Sequence, residues 1–237
     1  MNIALLTAAG SGTRMHQSIP KQFMDVDGIP VIAYTMMAFQ GSPDIDAIGV
    51  VCLAGWEDTL REIASTHNIG KLKWVFQGGA SNQESIGNGL RGLMASGCSR
   101  DDIVLVHDGV RPLVDNRIIA DNIATCKEYG YAVTGLLCKE AIMQLQDGCL
   151  DEIEYPREML VRTQTPHTYR LGALLDAHNQ AIEKGVNGTV ASCTLMAALG
   201  NKNQHLVTGS ERNGLKLTLS EDVDLFRAMI RLNTDNV

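Results

Sequence analysis

The chain alternates short apolar runs with amphipathic stretches along most of its length. Such runs are typical of strands buried in a parallel sheet, and apolar residues spaced three or four apart indicate helices. Strands are predicted at residues 3–6, 47–53, 72–76, 103–106, 131–137 and 205–207. Helices are predicted at residues 31–40, 57–66, 82–95, 116–129, 170–184, 190–199 and 220–232. This order favours an α/β fold with a mostly parallel, twisted sheet and helices on both faces.

The alternation stops between Cys138 and Thr163. Asp147-Gly148 is a turn signal between short segments of mixed polarity, so we predict a β-hairpin arm at about residues 138–163. A two-stranded arm this polar has little stability alone, and we expect it to pack against a second subunit. The pattern therefore predicts a single domain over residues 1–237 with a dimerisation arm, in a homodimer.

Small residues and two cations follow the first predicted strand. The run Ala8-Ala9-Gly10-Ser11-Gly12 lets backbone N–H groups approach a ligand closely, and Arg14 and Lys21 come next. This arrangement is suited to a polyphosphate, although an ordinary strand–helix turn with two surface cations is the simpler alternative. Met15 occupies the third position of a G-x-G-x-x-G fingerprint, and the chain contains no P-loop motif. The loop thus differs from both standard nucleotide loops.

Composition narrows the possible functions. The net charge of -7 argues against a general nucleic-acid or anionic-membrane binder. No apolar stretch approaches transmembrane length, and no signal-peptide pattern is present, so we expect a soluble cytoplasmic protein with small-molecule substrates. The six cysteines form no C-x-x-C pair, and we expect them to be reduced and packed as small hydrophobes.

Polar residues collect at the ends of other predicted strands, where ligands bind in doubly wound sheets. Gly78-Gly79 with Ser85 can approach a flat base, and Asp108 suits Mg²⁺, which binds one carboxylate together with phosphate oxygens. Arg111 is available for an anionic substrate, and Lys216 lies in an apolar alternation where a lysine is costly unless it faces a site. Each residue has a structural alternative, such as a turn, a helix cap or surface polarity.

Three further residues complete the candidate list. Arg157 in the arm and Thr165 in the Gln164-Thr165-Pro166-His167 segment could bind a phosphorylated second substrate, or they could be ordinary surface polarity. His107 is expected to be a packed, hydrogen-bonded residue and not a base.

Taken together, the motifs resemble those of the polyol-phosphate cytidylyltransferases. This family contains 2-C-methyl-D-erythritol 4-phosphate cytidylyltransferase and ribitol-5-phosphate cytidylyltransferase. The resemblance extends from Met1 to about Arg227. It rests on Ala8-Ala9-Gly10-x-Gly12-x-Arg14-Met15, Pro20-Lys21-Gln22-Phe23, Gly78-Gly79 with Ser85, His107-Asp108-x-x-Arg111-Pro112, Gln164-Thr165-Pro166 and Leu215-Lys216.

The resemblance implies a Rossmann-like nucleotidyltransferase domain, Mg²⁺ dependence with Asp108 near the metal, and a homodimer whose arms cross the interface. It implies that CTP is bound by Ala8, Ala9, Gly10, Ser11, Gly12, Thr13, Gly79, Ser85 and Asp108. It implies catalytic roles at the α-phosphate for Arg14, Lys21 and Lys216. The acceptor would be held by Arg111, Thr165 and Arg157, the last from the partner subunit.

The chain departs from the family pattern at Asn82, Ala141, Val190, Gly214 and His167, in place of Arg, Thr, Asp, Asn and Gln. The triphosphate and metal positions are retained, so these departures concern the acceptor more than the reaction. Trp56 and Val110 resemble the ribitol branch slightly more than the erythritol branch.

Two other functions remain open. A dinucleotide-dependent oxidoreductase would need a third glycine at Met15 and an acidic residue ending the second strand, where Leu53-Ala54-Gly55 stands instead. A nucleotide-binding relative that has lost acceptor chemistry would be compatible with the departures listed for Asn82, Ala141 and Val190.

Overall fold

The computed structural model describes residues 1–10, 19–153 and 155–234. Its strands are β1 (Asn2–Ala8), β2 (Asp25–Val26), β3 (Ile29–Pro30), β4 (Ala47–Cys52), β5 (Leu72–Gln77), β6 (Ile103–Asp108), β7 (Tyr131–Leu137), β8 (Gln144–Gln146), β9 (Cys149–Asp151), β10 (Val161–Arg170) and β11 (His205–Thr208). Its α-helices are α1 (Val31–Gly41), α2 (Glu57–Thr66), α3 (Asn82–Ala95), α4 (Asn116–Tyr129), α5 (Leu171–Glu183), α6 (Ser192–Ala198) and α7 (Ser220–Thr234).

A seven-stranded sheet in the order β11-β7-β10-β6-β1-β4-β5 forms the centre of the fold. All neighbouring strands are parallel except β10, which runs antiparallel to both β6 and β7. The predicted mostly parallel α/β sheet is therefore confirmed. Since β1 and β6 lie side by side at its centre, their carboxyl ends bring Ala8 and Asp108 to the same edge.

Two apolar layers cover the faces of this sheet. On β1, Ala4 and Leu6 pack with α1 and α4, whereas Ile3 and Leu5 pack with α3 and α5. This alternation follows from the two-residue period of a strand, and it explains why β1 is apolar at nearly every position. The predicted helices on both faces are confirmed. Among the described helices, none combines the length and apolar character needed to cross a bilayer.

The sequence pattern did not predict β10. The strand is rich in polar residues and contains Pro166, so it has neither a continuous apolar run nor clean alternation. It forms because β6 and β7 supply hydrogen-bonding partners on both sides, with an irregularity between Thr163 and His167. The last residues of the predicted arm therefore belong to the central sheet.

The projecting hairpin consists of β8 and β9, joined at the predicted Asp147-Gly148 turn. Both turn residues have positive φ, 50° and 81°, as a tight hairpin turn requires. Every residue of the two strands is exposed. Large apolar side chains are exposed on and around this arm: Leu137, Ile142, Met143, Leu145, Leu150, Tyr155 and Met159.

The six cysteines are all free thiols. Five are buried and Cys149, on the hairpin, is exposed. Burial raises the pKa of Cys52 to about 12, so this thiol is protonated at neutral pH. The expected packing of cysteines as small hydrophobes is thus confirmed for the five buried residues.

Candidate active site at the carboxyl edge of the sheet

A first cavity of about 420 Å³ opens where β1, β5 and β6 end. Eight of the predicted site residues line it: Ala8, Ala9, Gly10, Lys21, Gly79, Ser85, Asp108 and Lys216. These residues come from five separate stretches of the chain, so the fold brings the predicted nucleotide and catalytic positions together. Their individual roles stay predictions. Ser11, Gly12, Thr13 and Arg14 lie outside the described residues.

Gln22 organises the floor of the first cavity. Its side-chain Nε2 donates hydrogen bonds to the carbonyl oxygens of Ala8 and Gly10, at 2.8 and 3.0 Å. Gln22 is 1% exposed, so these bonds satisfy a buried amide and fix the end of β1. Sequence reasoning did not assign it a role. The available signal was its place beside Lys21 in the Pro20-Lys21-Gln22-Phe23 motif.

The glycines after β5 allow the wall of the first cavity to approach β1. A β-carbon at Gly78 would overlap that of Ala9, so only glycine fits there. The Gly79 N–H donates to Ser85 Oγ at 3.0 Å, and Ser81 caps α3 by accepting from the Glu84 N–H. Ser85 is buried and supports the loop while also lining the cavity.

Asp108 forms ion pairs with two cationic side chains of the site, Arg111 and Lys216. Its Oδ2 accepts a hydrogen bond from Arg111 Nε at 2.8 Å and pairs with Lys216 Nζ at 3.0 Å. Burial raises the pKa of Asp108, but the charges and hydrogen bonds of Lys216 and Arg111 outweigh it and hold the pKa well below its usual range. Asp108 is therefore a carboxylate at neutral pH. The costly lysine in an apolar segment does face the site, as predicted.

Arg111 links this carboxylate to the loop that carries Lys216. Its Nη1 donates to the Gly214 carbonyl oxygen. A side chain at Gly214 would collide with the amide of Gln164, so the departure to glycine fits this close packing. Arg111 does not line the first cavity but an adjoining one.

This second cavity has a volume of about 210 Å³. Thr7, Asn82, Asp108 and Lys216 line both cavities, and the second also has Arg111 and Thr165 in its wall. Asn82 donates to the Val190 carbonyl oxygen at 3.1 Å, so two departures from the family pattern contact each other beside the second cavity. A third, His167, also lines this cavity.

Two buried imidazoles lie in the wall of the second cavity. Burial lowers the pKa of both His107 and His167 to about 4, so both rings are neutral at pH 7. His107 contacts Thr165 Oγ1 through Nδ1 at 2.9 Å and the Arg111 carbonyl oxygen through Nε2 at 3.0 Å. It also packs edge-on against Phe39. His107 is packed and hydrogen-bonded, as predicted.

Arg157 is the one predicted site residue of the described chain that lines neither cavity. It lies on the arm, where its guanidinium donates to the Lys139 carbonyl oxygen and pairs with Glu158, both at 3.3 Å. Its side chain is about half exposed. Within a single chain, the structure does not bring Arg157 to the other candidate residues.

The described residues contain no cluster of three or more His, Cys, Asp or Glu side chains suited to a metal. A site of the predicted kind needs only one carboxylate, since Mg²⁺ keeps several waters and takes further oxygens from substrate phosphates. Both ion pairs of Asp108 run to Oδ2, and Oδ1 forms no hydrogen bond within the described part of the chain. The donor chemistry of Asp108 therefore fits one bound Mg²⁺.

Comparison with known proteins gives a consistent result. The chain is 40% identical over 234 residues to a ribitol-5-phosphate cytidylyltransferase of Lacticaseibacillus paracasei, covering 98% of each chain. It is 35% identical to a 2-C-methyl-D-erythritol 4-phosphate cytidylyltransferase of Syntrophotalea carbinolica, covering 95% of this chain and 94% of the relative. The solved structure of 4-diphosphocytidyl-2C-methyl-D-erythritol synthase from Anaerococcus prevotii superposes with a TM-score of 0.81 at 21% identity, over 98% of each chain, which supports the fold.

The family model described as IspD, 2-C-methyl-D-erythritol 4-phosphate cytidylyltransferase, matches residues 2–232. Both the motifs at the carboxyl edge of the sheet and the whole-chain similarity agree with it. The chain belongs to this cytidylyltransferase family.

Proposed function

We propose that this protein transfers CMP from CTP to ribitol 5-phosphate and releases pyrophosphate. The observation that carries the reaction type is the meeting of Lys21, Asp108 and Lys216 in one cavity that begins at the Gly10 turn. A phosphate oxygen of the acceptor attacks the α-phosphorus of CTP, the bond to the β-phosphate oxygen breaks, and pyrophosphate leaves with that bonding electron pair.

This reaction needs charge stabilisation more than a base. The attacking phosphate is already anionic, so no proton has to be removed from it. The barrier arises from bringing anions together and from the charge that develops at the α-phosphate, which positioned cations stabilise. Lys21 and Lys216 both line the first cavity and supply such cations.

Mg²⁺ dependence is part of the proposal, with Asp108 as the protein ligand. When bound, the ion would neutralise phosphate charge and orient the triphosphate. Lys216 pairs with Oδ2, which leaves Oδ1 as the oxygen available to a cation. Titrating Mg²⁺ into metal-free protein with CTP and ribitol 5-phosphate present should restore pyrophosphate release, and full activity in excess chelator would contradict this part.

The acceptor assignment rests on similarity. The relative at 40% identity is named for ribitol 5-phosphate, and the one at 35% for 2-C-methyl-D-erythritol 4-phosphate. Val110 and Trp56, which stacks on Phe23 with ring centroids 4.6 Å apart, favour the ribitol branch. The erythritol acceptor is the second candidate, favoured by the description of the family model.

We also propose that the protein acts as a homodimer whose arm reaches the partner's site. Apolar side chains such as Leu145, Leu150 and Met159 are about two-thirds exposed, an arrangement that a second subunit would cover. Arg157 lies on the same arm and lines neither of the two site cavities of its own chain. Light scattering should give twice the mass of one chain, and a monomeric mass would contradict the dimer.

Pyrophosphate release with CTP and Mg²⁺ tests the activity directly. Ribitol 5-phosphate, 2-C-methyl-D-erythritol 4-phosphate and other polyol phosphates should be compared at equal concentrations. We expect turnover with ribitol 5-phosphate to exceed that with the others. Protein that binds CTP but releases no pyrophosphate with any acceptor would instead support a nucleotide-binding relative without transferase activity.

A further inference from the structure

A continuous hydrogen-bond chain runs through His107 to the wall of the second cavity. His107 Nε2 lies 3.0 Å from the Arg111 carbonyl oxygen, and Nδ1 lies 2.9 Å from Thr165 Oγ1. Thr165 Oγ1 also accepts a hydrogen bond from the Asp108 N–H at 3.2 Å. Both residues line the cavity, His107 completely buried and Thr165 partly exposed.

The partners of the imidazole fix its tautomer. A carbonyl oxygen can only accept, so Nε2 must carry the hydrogen that it donates to Arg111. The ring is fully buried and neither nitrogen contacts a carboxylate, which favours the neutral form. Nδ1 of a neutral imidazole protonated at Nε2 is an acceptor.

The tautomer in turn determines whether the Thr165 hydroxyl donates or accepts in its hydrogen bond with His107. Since Nδ1 can only accept, Thr165 Oγ1 must donate its single hydrogen to His107. One of its two lone pairs is used by the Asp108 N–H. The hydroxyl therefore has one lone pair and no hydrogen left for a ligand in the second cavity.

We propose that His107 is a positioning residue for Thr165. By accepting the hydroxyl hydrogen of Thr165, His107 leaves Thr165 able to accept a hydrogen bond from a hydroxyl of the acceptor polyol but unable to donate one to the acceptor's phosphate. The proposal rests on the proposed function and states which part of the acceptor Thr165 contacts. Phosphate oxygens of a dianion offer no hydrogen, so they match the nearby Arg111 and Lys216 and not this lone pair. A polyol hydroxyl has the hydrogen that Thr165 lacks.

The test combines substrate analogues with isosteric variants. Deoxy analogues of ribitol 5-phosphate, each lacking one hydroxyl, should be compared with the parent acceptor by kcat/KM. In the wild-type enzyme one analogue should lose about tenfold, the worth of one neutral hydrogen bond. In Thr165→Val that analogue and the parent should become equivalent, while the KM for CTP stays unchanged.

The histidine is tested by two variants that keep different halves of its hydrogen bonding. His107→Gln retains a donor toward Arg111 but loses the acceptor toward Thr165, so it should abolish the discrimination as Thr165→Val does. His107→Asn can retain an acceptor oxygen near Nδ1 and should rescue part of the discrimination. A double variant of His107→Gln and Thr165→Val should be no worse than Thr165→Val alone.

A measurement on unmodified protein covers the case in which these variants do not fold. ¹⁵N NMR of histidine-labelled enzyme should show His107 with an unprotonated Nδ1 and a protonated Nε2 at neutral pH. A protonated Nδ1 would overturn the proposal.

Two kinetic results would also contradict it. If Thr165→Val lowered kcat/KM equally for the parent and every deoxy analogue, Thr165 would be contacting the phosphate, and this inference alone would fail. If wild-type enzyme were inactive with every polyol phosphate, the proposed function would fail and the inference with it.

Discussion

The two adjoining cavities share Asp108 and Lys216 but differ in chemistry. The first is lined by lysines and backbone turns, and of the five departures from the family pattern only Asn82, which both cavities share, lines it. The second is walled by buried neutral imidazoles and contains three departures from the family pattern, Asn82, Val190 and His167. The comparison teaches that the cavity lined by the predicted nucleotide-binding residues is largely retained, while the cavity lined by the predicted acceptor residues Arg111 and Thr165 has diverged more.

Removing the Asp108 carboxylate, which lines both cavities, should have the largest effect. Asp108→Asn should lower pyrophosphate release about 10³-fold, because it removes the proposed metal ligand and the partner of two cations. Steady-state rates over a range of Mg²⁺ concentrations measure it. Asp121→Asn, which removes an exposed carboxylate on α4, is the matched control and should be near wild type. Normal turnover in Asp108→Asn would refute the metal assignment.

Removing the shared lysine should have the next largest effect. Lys216→Met should lower kcat about 10²–10³-fold with both acceptors alike, because in the proposed reaction the charge of Lys216 stabilises the α-phosphate irrespective of the acceptor. Lys202→Met, at an exposed loop position, controls for loss of a positive charge elsewhere. A change confined to the KM of the acceptor would show that Lys216 binds the acceptor and does not stabilise the reacting phosphate.

The arm arginine should separate the acceptor from the nucleotide. Arg157→Met should raise the KM for the acceptor about 10–100-fold, the worth of a hydrogen bond to a charged group, and leave the KM for CTP unchanged. Arg61→Met, an exposed arginine on α2, serves as the control. An unchanged acceptor KM would show that the arm does not take part in acceptor binding.

The smallest effect concerns the buried imidazole that departs from the family pattern. An unfolded histidine takes up a proton near pH 6.5, but burial lowers the pKa of His167 to about 4 in the folded protein. Between these values the unfolded state binds more protons, so stability falls as the pH is lowered from about 6.5 to 4. Between pH 7 and pH 5 the free energy of unfolding should therefore fall by about 1–2 kcal/mol less in His167→Gln than in the wild type.

Urea unfolding of both proteins at pH 7 and pH 5 measures that difference. His67→Gln, at the end of α2 and only partly buried, is the control for replacing a histidine elsewhere. Equal pH dependence in wild type and His167→Gln would mean that His167 is not held neutral in the folded state.

Much of this architecture could be predicted from local pattern. The bounds of α2, α3 and α4 agree with the ranges predicted from apolar periodicity, and Ser81 and Asp115 cap the starts of α3 and α4. The strand β10 could not be predicted, because its polar sequence is stabilised by two neighbouring strands that are distant along the chain.

The same limit applies within the site. The motifs identified Asp108, Arg111 and Lys216 individually, but the shared Oδ2 contact depends on the loop near Gly214 folding back onto β6. The hydrogen bonds from Gln22 to the carbonyl oxygens of Ala8 and Gly10 could not be predicted for a similar reason, since a buried glutamine gives no periodic signal.

A competition assay tests the central claim most directly. Enzyme, CTP and Mg²⁺ should be mixed with equal amounts of ribitol 5-phosphate and 2-C-methyl-D-erythritol 4-phosphate. The two products, in which CDP is linked to ribitol or to 2-C-methyl-D-erythritol, should then be quantified by mass spectrometry. The ratio of products equals the ratio of kcat/KM values for the two acceptors. We expect the ribitol product to predominate. Predominance of the erythritol product would contradict the acceptor assignment, and formation of neither would contradict the proposed transferase activity.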